Sequence, residues 1–499
     1  MLFSSALFVF QFLPLVLLGH FVLGKRLRNA LLLLASLLFY AWGEQVMVGL
    51  MLLSALGNWG LGLWVERARW RGRGRGVVAL AVAFNLGLLL AFKYADWLWD
   101  SLGALLLSLH AIAEPLPRLT QLVTLDSFWS EVLAQEDGSI RLPIGISFFT
   151  FQALSYVIDV FRRDTTVQKN PLDFTLYLAL FPQLIAGPIV RYRDIAAQIR
   201  ERTLDLPGFA IGVRRFVIGL GKKMLIANPA ASLADPVFAL GETELSTPLA
   251  WLGILAYTLQ IYFDFSGYSD MAIGLGRMLG FRFLENFEHP YVARSITEFW
   301  RRWHISLSTW FRDYLYIPLG GSRAGRGRTF VNLALVFLLC GLWHGARMNF
   351  VVWGLWHGGF LVLERLGLSR WLEQRSLLLR HAYLIVVVML GWVFFRASDL
   401  HSALHYLGVM FGAGAPSQLE PAGLYLDARS ALALLAGILG ATPWLPALSA
   451  WHARRAPRAS LRSVEALETL GLALLCLVFL ACSLELAGQS YNPFIYFRF

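Results

Sequence analysis

Residues 298–321 read EFWRRWHISLSTWFRDYLYIPLGG, and residues 330–358 read FVNLALVFLLCGLWHGARMNFVVWGLWHG. Charged and aromatic side chains crowd into this stretch, whereas most of the chain is apolar. His344 ends a run of apolar residues that begins at Phe330 and is interrupted only by Asn332. An ionisable side chain at membrane depth is costly and marks a functional site by default. We therefore expect chemistry at His344.

The composition around this stretch is that of an integral membrane protein. The chain of 499 residues is 57% hydrophobic and 15% charged, and its mean hydropathy is +0.58. Apolar runs recur along most of the length, but several are shorter than the ~20 residues that a straight span needs, so they tilt, borrow polar flanks or re-enter. The pattern predicts an all-α polytopic membrane fold with roughly 10–13 transmembrane or re-entrant helices, organised as one domain over residues 1–499.

Basic residues lie between the apolar runs. The first run, Leu7–Leu23, comes before the first basic residue, Lys25, so it is expected to be a transmembrane helix rather than a cleavable signal peptide. The net charge of +11 comes from Arg-rich loops such as Arg67–Arg75 and Arg191–Arg202. Such loops follow the positive-inside rule of membrane proteins. We therefore expect the lipid bilayer as the surroundings of the chain and no nucleic-acid partner.

Three histidines, His304, His344 and His357, each follow a tryptophan, and the last two repeat the phrase LWHG. Their separations of 40 and 13 residues do not match the i, i+4 spacing of a two-histidine metal motif. On one continuous helix, 13 positions at ~100° each would put His344 and His357 about 140° apart. The three cysteines form no CxxC pair. We therefore predict no metal site.

General base catalysis is the enzymatic chemistry that this histidine pattern favours. The chain has no GxSxG elbow and no visible Cys–His pair, so the sequence does not support a hydrolase. A neutral imidazole in a low-dielectric pocket can take a proton from a hydroxyl while its oxygen attacks a carbonyl. A buried histidine can instead form a purely structural hydrogen bond. Asn332, His304 and several tryptophans in the same polar segment favour His344 as the base.

Two further segments interrupt apolar runs. Asp264 and Asp270 lie within seven residues of each other and need cationic partners, for which Arg277 or Arg282 could serve. A salt-bridged kink at Gly267 is the structural alternative to a catalytic role for them. Elsewhere, residues 182–188 contain two prolines and a glycine that break a helix in mid-span. Such breaks are tolerated where protein or a water-filled cavity surrounds them, which predicts a lumen between helices.

These phrases resemble the membrane-bound O-acyltransferase family, and within it the alginate O-acetyltransferase type. The matching motifs lie between Pro143 and Gly358, with a similar YNPFIYFRF at residues 491–499. They are PIGISFFTFQALSYVIDV, LIAGPIVR, YFDFSGYSDMAIGLG, SITEFWRRWHISLSTWFRDYLYIPLGG, GLWHGA and WGLWHG. The resemblance implies a multi-pass protein of the bacterial inner membrane, with helices around a central tunnel.

The resemblance also implies roles for particular residues. The family's catalytic histidine corresponds to His344, and a second polar position corresponds to His304. Beyond the resemblance, we expect supporting roles for Asn332, Asp264, Asp270, Arg312, Trp303 and Trp343. The acyl donor would be acetyl-CoA or an acetylated carrier on the cytoplasmic side, with no bound cofactor. The acceptor hydroxyl would be reached from the opposite face, through a periplasmic acetyltransferase partner that passes the acetyl group to a polysaccharide.

The polymer is less well specified than the family. Ser322 follows PLGG, where alginate enzymes more often have asparagine, and systems that acetylate cellulose share the motif set. We expect O-acetylation of an exopolysaccharide, with alginate as the leading candidate. The alternatives are another polymer such as cellulose, D-alanylation of a cell-wall polymer, and a transporter of polymer or acyl groups without catalysis. Transporters often have paired halves, and no internal repeat is visible in this sequence.

Overall fold

The computed structural model describes residues 1–122, 134–135, 137–241, 243–323, 325–413, 422–455 and 461–488. Within these ranges the regular elements are helices, and an isolated antiparallel bridge joins Ala134 to Ile140. The predicted all-α fold is therefore confirmed. The motif at residues 491–499 lies outside the described residues.

The chain forms two compact units. The first comprises residues 1, 13–203 and 345–347, and the second comprises residues 2–12, 204–344 and 348–499. The helices of the first unit are α1 (Leu13–Val22), α2 (Lys25–Glu44), α3 (Val48–Arg69), α4 (Gly74–Leu89), α5 (Ala95–Ser108), α6 (Leu119–Leu122), α7 (Ile146–Arg162), α8 (Pro171–Ala179), α9 (Phe181–Leu184) and α10 (Tyr192–Arg200). The expectation of a single domain stays a prediction.

The second unit contains the motifs that the sequence singles out. Its helices are α11 (Leu206–Gly221), α12 (Asn228–Ala239), α13 (Thr247–Met278), α14 (Ile296–Arg302), α15 (Ile305–Phe311), α16 (Arg326–His344), α17 (Met348–Leu363), α18 (Ser369–Glu373), α19 (Leu377–Arg396), α20 (Leu400–Met410), α21 (Ala428–Gly440), α22 (Trp444–Arg455) and α23 (Leu461–Ala487). Short π-helical segments extend several of them, among them Lys222–Ala227, Arg312–Tyr316 and Glu364–Leu368.

Five helical stretches in the described ranges are long and apolar enough to cross a membrane. They are Lys25–Arg69, Gly74–Ser108, Arg326–His344, Leu377–Arg396 and Glu465–Ala487. Phe8–Val22 and Ala428–Gly440 are shorter apolar helices of 10–17 residues. The first predicted span thus corresponds to one of the shorter helices. The chain is a multi-pass membrane protein, and the count of 10–13 segments stays a prediction.

Side chains in the first unit compensate for the break in its apolar helix. Between α8 and α9 the backbone N–H of Phe181 donates to Ser36 Oγ at 3.1 Å. Tyr177 donates from its hydroxyl to the carbonyl oxygens of Gln152 and Val190, at 3.2 and 3.1 Å. Helix breaks at membrane depth require this kind of internal partner. Protein groups therefore satisfy the backbone here, and the predicted lumen stays a prediction.

Glycines allow α11 and α13 to cross in close contact. A Cβ added to Gly274 would lie 2.7 Å from the carbonyl oxygen of Gly212, and one added to Gly267 would lie 2.8 Å from that of Gly219. Small residues at such crossings let helix backbones pack against each other in a membrane. Because α13 runs unbroken from Thr247 to Met278, Gly267 marks a helix crossing within one continuous helix.

A second glycine contact joins α16 to α17, the two helices that carry the repeated LWHG phrases. A Cβ on Gly341 would collide with the carbonyl oxygen of Phe350, and a Cβ on Gly354 would collide with that of Phe337. The Cα atoms of Gly341 and Gly354 face each other across this crossing. The two backbones therefore touch close to the C-terminal end of α16.

We predict that Gly341→Ala and Gly354→Ala lower the free energy of unfolding by roughly 1–3 kcal/mol each, because the added methyl group meets backbone that has no rotamer to change. Thermal unfolding of the purified protein in detergent measures the effect. Gly359→Ala is the matched control on α17, since its Cβ would meet nothing within 4 Å. Equal melting temperatures for Gly341→Ala and Gly359→Ala would contradict the packing argument.

Candidate active site

His344 is the last residue of α16, and its imidazole is buried among aromatic rings. The ring centroid lies 4.9 Å from that of Trp343, 5.0 Å from Trp353 on α17 and 5.1 Å from Phe395 on α19. Asn349 holds the start of α17 against the end of α19, because its side-chain amide donates to the carbonyl oxygens of Phe394 and Ala397 at 3.1 and 2.9 Å. Three helices therefore position the surroundings of His344.

His304 lies in the bend between α14 and α15 and is buried. Its ring packs edge-on against Phe265 at 4.6 Å and lies 6.2 Å from Trp343. Its Nδ1 is 3.2 Å from Oδ1 of Asn286. His304 is outside the candidate spans, and burial lowers its pKa to about 3, so the imidazole is neutral. Trp343 contacts both histidines, so the structure brings His304 and His344 into one aromatic cluster.

His357 belongs to the same cluster, although it lies on another helix. It is on α17, and its ring is 5.3 Å from Trp353 and 5.2 Å from Trp300. The sequence argument that treats His344 and His357 as points on one continuous helix is therefore wrong, because the chain turns between α16 and α17. Trp353 contacts both rings. Across the described ranges, no three His, Cys, Asp or Glu side chains gather as metal ligands do.

The two predicted supporting tryptophans also pack in this cluster. Trp303 immediately precedes His304 in the chain, and its ring lies 5.0 Å from both Phe287 and Trp392. Trp343 forms the link between the two histidines described above. Both indoles therefore help to form the walls around the histidines.

The two aspartates on α13 pair with residues that the sequence analysis does not name. Asp264 contacts Lys223 at 2.7 Å, and both side chains are buried. Asp270 contacts Arg215 at 2.7 Å and Lys222 at 2.6 Å. The expectation that Arg277 or Arg282 serves as the partner is wrong. Where α11 crosses α13, the basic side chains of α11 and of the segment that follows it lie next to the two aspartates. Both carboxylates are neutralised by lysine or arginine.

Asn332 is far from His344 along α16, and the side chain of Arg312 is exposed. Asn332 lies 12 residues before His344 on α16, which corresponds to ~18 Å along the helix axis. Its side-chain amide donates to the carbonyl oxygens of Leu319 and Gly321, so it anchors the PLGG loop. The side chain of Arg312 is 59% exposed and pairs with Asp313. These contacts indicate that Asn332 supports the loop rather than the aromatic cluster.

A cavity of about 560 Å³ opens beside Asp270. Its lining includes Arg215 and Lys222, which pair with Asp270, and Arg215 also pairs with Glu285. Asn286 lines the same cavity and contacts His304 through its side chain. The cavity therefore extends to the residue that holds His304.

Glu364 is a buried residue that the sequence analysis missed. It follows α17, and its carboxylate accepts hydrogen bonds from the backbone N–H groups of Ile296 and Thr297 at 2.6 and 2.9 Å. The hydroxyls of Thr297 and Tyr383 donate to it as well, at 2.6 and 3.0 Å. A carboxylate at this position satisfies the free N–H groups at the start of α14. Its signal in the sequence is a lone acidic residue directly after an apolar run.

The histidine cluster lies in a part of the chain that matches a known family. Residues 102–398 match the model of MBOAT, the membrane-bound O-acyltransferase family. The chain belongs to the membrane-bound O-acyltransferase family. It is therefore an O-acyltransferase, and the resemblance of the motifs between Pro143 and Gly358 is confirmed.

Relatives of this acyltransferase are known from several bacteria. The protein named "Probable alginate O-acetylase AlgI" of Pseudomonas putida is 44% identical over the whole length of both chains. The protein of the same name from Azotobacter vinelandii is 46% identical over 83% of this chain and 79% of its own. The peptidoglycan O-acetyltransferase of Helicobacter pylori is 34% identical over 83% of this chain and 80% of its own. The acyltransferase thus resembles enzymes named for different polymers.

We predict that Glu364→Gln destabilises the acyltransferase by about 2–3 kcal/mol, because an amide replaces a charged acceptor of several buried hydrogen bonds. Loss of the folded fraction on heating in detergent measures this effect. Glu373→Gln, at an exposed position of α18, is the control and is expected to leave stability unchanged. An equally stable Glu364→Gln protein would argue against a role for this carboxylate in holding α14.

Proposed function

We propose that this acyltransferase moves acetyl groups from a cytoplasmic donor across the bacterial inner membrane for O-acetylation of an exopolysaccharide, and that the polysaccharide is alginate. The observation that carries the proposal is the shared aromatic cluster around the buried residues His344 and His304. The names of the Pseudomonas and Azotobacter relatives support the choice of polymer. Acetyl-CoA or an acetylated carrier is the proposed donor.

In this proposal His344 is the general base. It accepts the proton of an acceptor hydroxyl while the hydroxyl oxygen forms a bond to the acetyl carbonyl carbon. The carbon–sulfur bond of the thioester donor then breaks, and the proton passes from His344 to the leaving thiolate. The products are an O-acetyl ester and a free thiol, so atoms and charge balance. The aromatic rings of Trp343, Trp353 and Phe395 hold the imidazole of His344 in place for this transfer.

The distribution of basic residues supports opposite faces for donor and acceptor. Arg323, Arg326 and Arg328 lie at the start of α16, whereas the turn that follows His344 carries Arg347. By the positive-inside rule, the start of α16 is cytoplasmic. The 19 residues of α16 rise by ~28 Å, which carries His344 towards the opposite face. An acceptor would therefore approach His344 from the periplasmic side.

The cavity beside Asp270 is the proposed approach of the donor. It lies towards the end of α13, which is followed by Arg282, whereas the loop before α13, residues 240–246, contains no Lys or Arg. This asymmetry favours a cytoplasmic opening. The cavity extends to Asn286, which contacts His304. In this arrangement His304 positions the donor, and the acceptor is a periplasmic acetyltransferase partner that passes the acetyl group to the polymer.

We predict that His344→Ala abolishes acetylation of the exopolysaccharide while the protein stays in the membrane, because general base catalysis contributes about 10²–10⁴-fold to a rate. His304→Ala is expected to reduce acetylation as well. The acetyl content of the secreted polymer, measured by NMR and normalised to the membrane level of each variant, tests both. His401→Ala, at an exposed position, is the control. Normal acetylation by His344→Ala would refute the assignment of the base.

The choice of donor and polymer has its own test. Purified protein is supplied with a hydroxyl acceptor and with radiolabelled acetyl-CoA or a D-alanyl thioester, and His344-dependent release of thiol is measured. We expect turnover of the acetyl donor. If only the D-alanyl thioester is turned over, the reaction is D-alanylation and not acetylation. If neither thioester releases thiol, the result favours a transporter without catalysis. Deletion of the gene in its host should remove acetyl groups from alginate. If acetyl groups are lost from cellulose instead, cellulose is the polymer that the enzyme serves.

A further inference from the structure

Asn286 holds the chain on both sides of His304. His304 has φ 43° and ψ 54°, in the left-handed region that residues other than glycine rarely adopt. Such a conformation persists where the surroundings impose it. The backbone carbonyl of Asn286 accepts from the N–H of Ile305 at 3.0 Å, and its side chain contacts both His304 and Ser306. Asn286 is itself buried, in the loop between α13 and α14.

The hydrogen bonds of Asn286 determine which way its side-chain amide points. The backbone N–H of Ser306 is always a donor, and it lies 3.2 Å from Oδ1 of Asn286. The hydroxyl of Ser306 donates to the same oxygen at 2.8 Å. On the other side, Nδ2 donates to Oγ of Ser269 on α13 at 3.1 Å. A reversed amide would place its N–H against the N–H of Ser306, so Oδ1 faces His304.

The orientation of this amide selects the tautomer of His304. Two oxygens face Nδ1 of His304: Oδ1 of Asn286 at 3.2 Å and Oγ of Ser306 at 3.4 Å. Oδ1 is an acceptor, and the single hydroxyl proton of Ser306 is already donated to Oδ1, so Nδ1 carries the proton. In a neutral imidazole the other nitrogen is then an acceptor. Nε2 of His304 is buried and has no hydrogen-bond partner in the part of the chain that the structure describes. A buried acceptor without a partner favours a ligand that brings a donor.

The chemistry of the acetyl transfer indicates which hydrogen-bond donor bonds to Nε2 of His304. The single proton of the acceptor hydroxyl goes to His344 in the proposed reaction, so it is not available to a second base. The carbonyl oxygen of a thioester is itself an acceptor, and the Nε2 lone pair of His304 cannot bond to it. Coenzyme A and acyl carriers both present their thioester on a pantetheine arm, which contains amide N–H groups.

We propose that Asn286 is a positioning residue that holds His304 as the Nδ1–H tautomer, so that Nε2 accepts a hydrogen bond from an amide N–H of the donor's pantetheine arm. This inference rests on the proposed function and names the group of the substrate that His304 recognises. The cavity that Asn286 lines lies next to His304, and the arm has to pass beyond its lining to reach Nε2.

The test compares Asn286→Leu, which removes the acceptor, with Asn286→Asp, which keeps an oxygen facing Nδ1 of His304. We expect Asn286→Leu to raise the KM for acetyl-CoA about three- to tenfold, the value of one lost hydrogen bond to a substrate, and Asn286→Asp to remain close to the unmutated enzyme. Nitrogen NMR of protein labelled with ¹⁵N-histidine, assigned through His304→Gln, reports the tautomer directly. Unmutated protein should show a protonated Nδ1, and Asn286→Leu should lose it.

Asn85→Leu is the matched control for the loss of a buried asparagine. Asn85 and Asn58 exchange side-chain hydrogen bonds of 2.7 and 3.1 Å between α3 and α4, within the first unit. This variant is expected to lose stability but to keep the KM for acetyl-CoA and the tautomer of His304. If Asn286 has only a structural role, Asn286→Leu will likewise lose stability and keep both the KM and the tautomer.

Two results would overturn the inference: a protonated Nε2 on His304 in the unmutated protein, or an unchanged tautomer and KM in Asn286→Leu. Failure of the proposed function is a different result. In that case the unmutated protein shows no His344-dependent release of thiol from acetyl-CoA. The NMR measurement needs no turnover, so it tests the tautomer in either case.

Discussion

Backbone contact between α16 and α17 at Gly341 and Gly354 determines where the cluster of aromatic rings and histidines can form. Helices in a membrane gain little from burying one apolar side chain against another, because lipid is equally apolar, so close packing at small residues holds them together. His344 lies about one turn after Gly341, and Trp353 directly precedes Gly354. The indole of Trp353 reaches the imidazole because the two backbones touch at this point.

In the second unit, side chains from distant segments form hydrogen bonds with backbone groups at helix termini and in one loop. Glu364 accepts from the start of α14, Asn332 donates to the PLGG loop, and Asn349 donates to the end of α19. These three side chains are buried, so removing one of them would leave backbone groups without a hydrogen-bond partner, which is costly. The short helices α14 and α15, which are too brief to be stable alone, become fixed parts of the structure in this way.

Local patterns in the sequence were sufficient for the fold class and for placing His304 and His344 near each other, whereas their catalytic roles stay predictions. The Trp–His phrases stand out against an apolar background, and His304 and His344 do lie in one cluster. The partners of Asp264 and Asp270 were beyond prediction because the crossing of α11 and α13 brings them from earlier segments. Gly345, directly after His344, is a signal for the end of a helix, so the comparison of His344 and His357 on one continuous helix overlooked a signal that the sequence contains. Asn286 has no local signal, since its importance comes from Ser306 and Ser269.

The aromatic rings packed on His344 have a consequence for how an energy-rich donor would be handled. A thioester can be attacked by water as well as by a sugar or protein hydroxyl. The rings of Trp343, Trp353 and Phe395 lie 4.9, 5.0 and 5.1 Å from the imidazole and cover it on several sides. A nucleophile can reach the imidazole only where these rings leave it uncovered. Such a pocket would keep a loaded donor intact until an acceptor arrives, so acetyl groups would not be lost to hydrolysis.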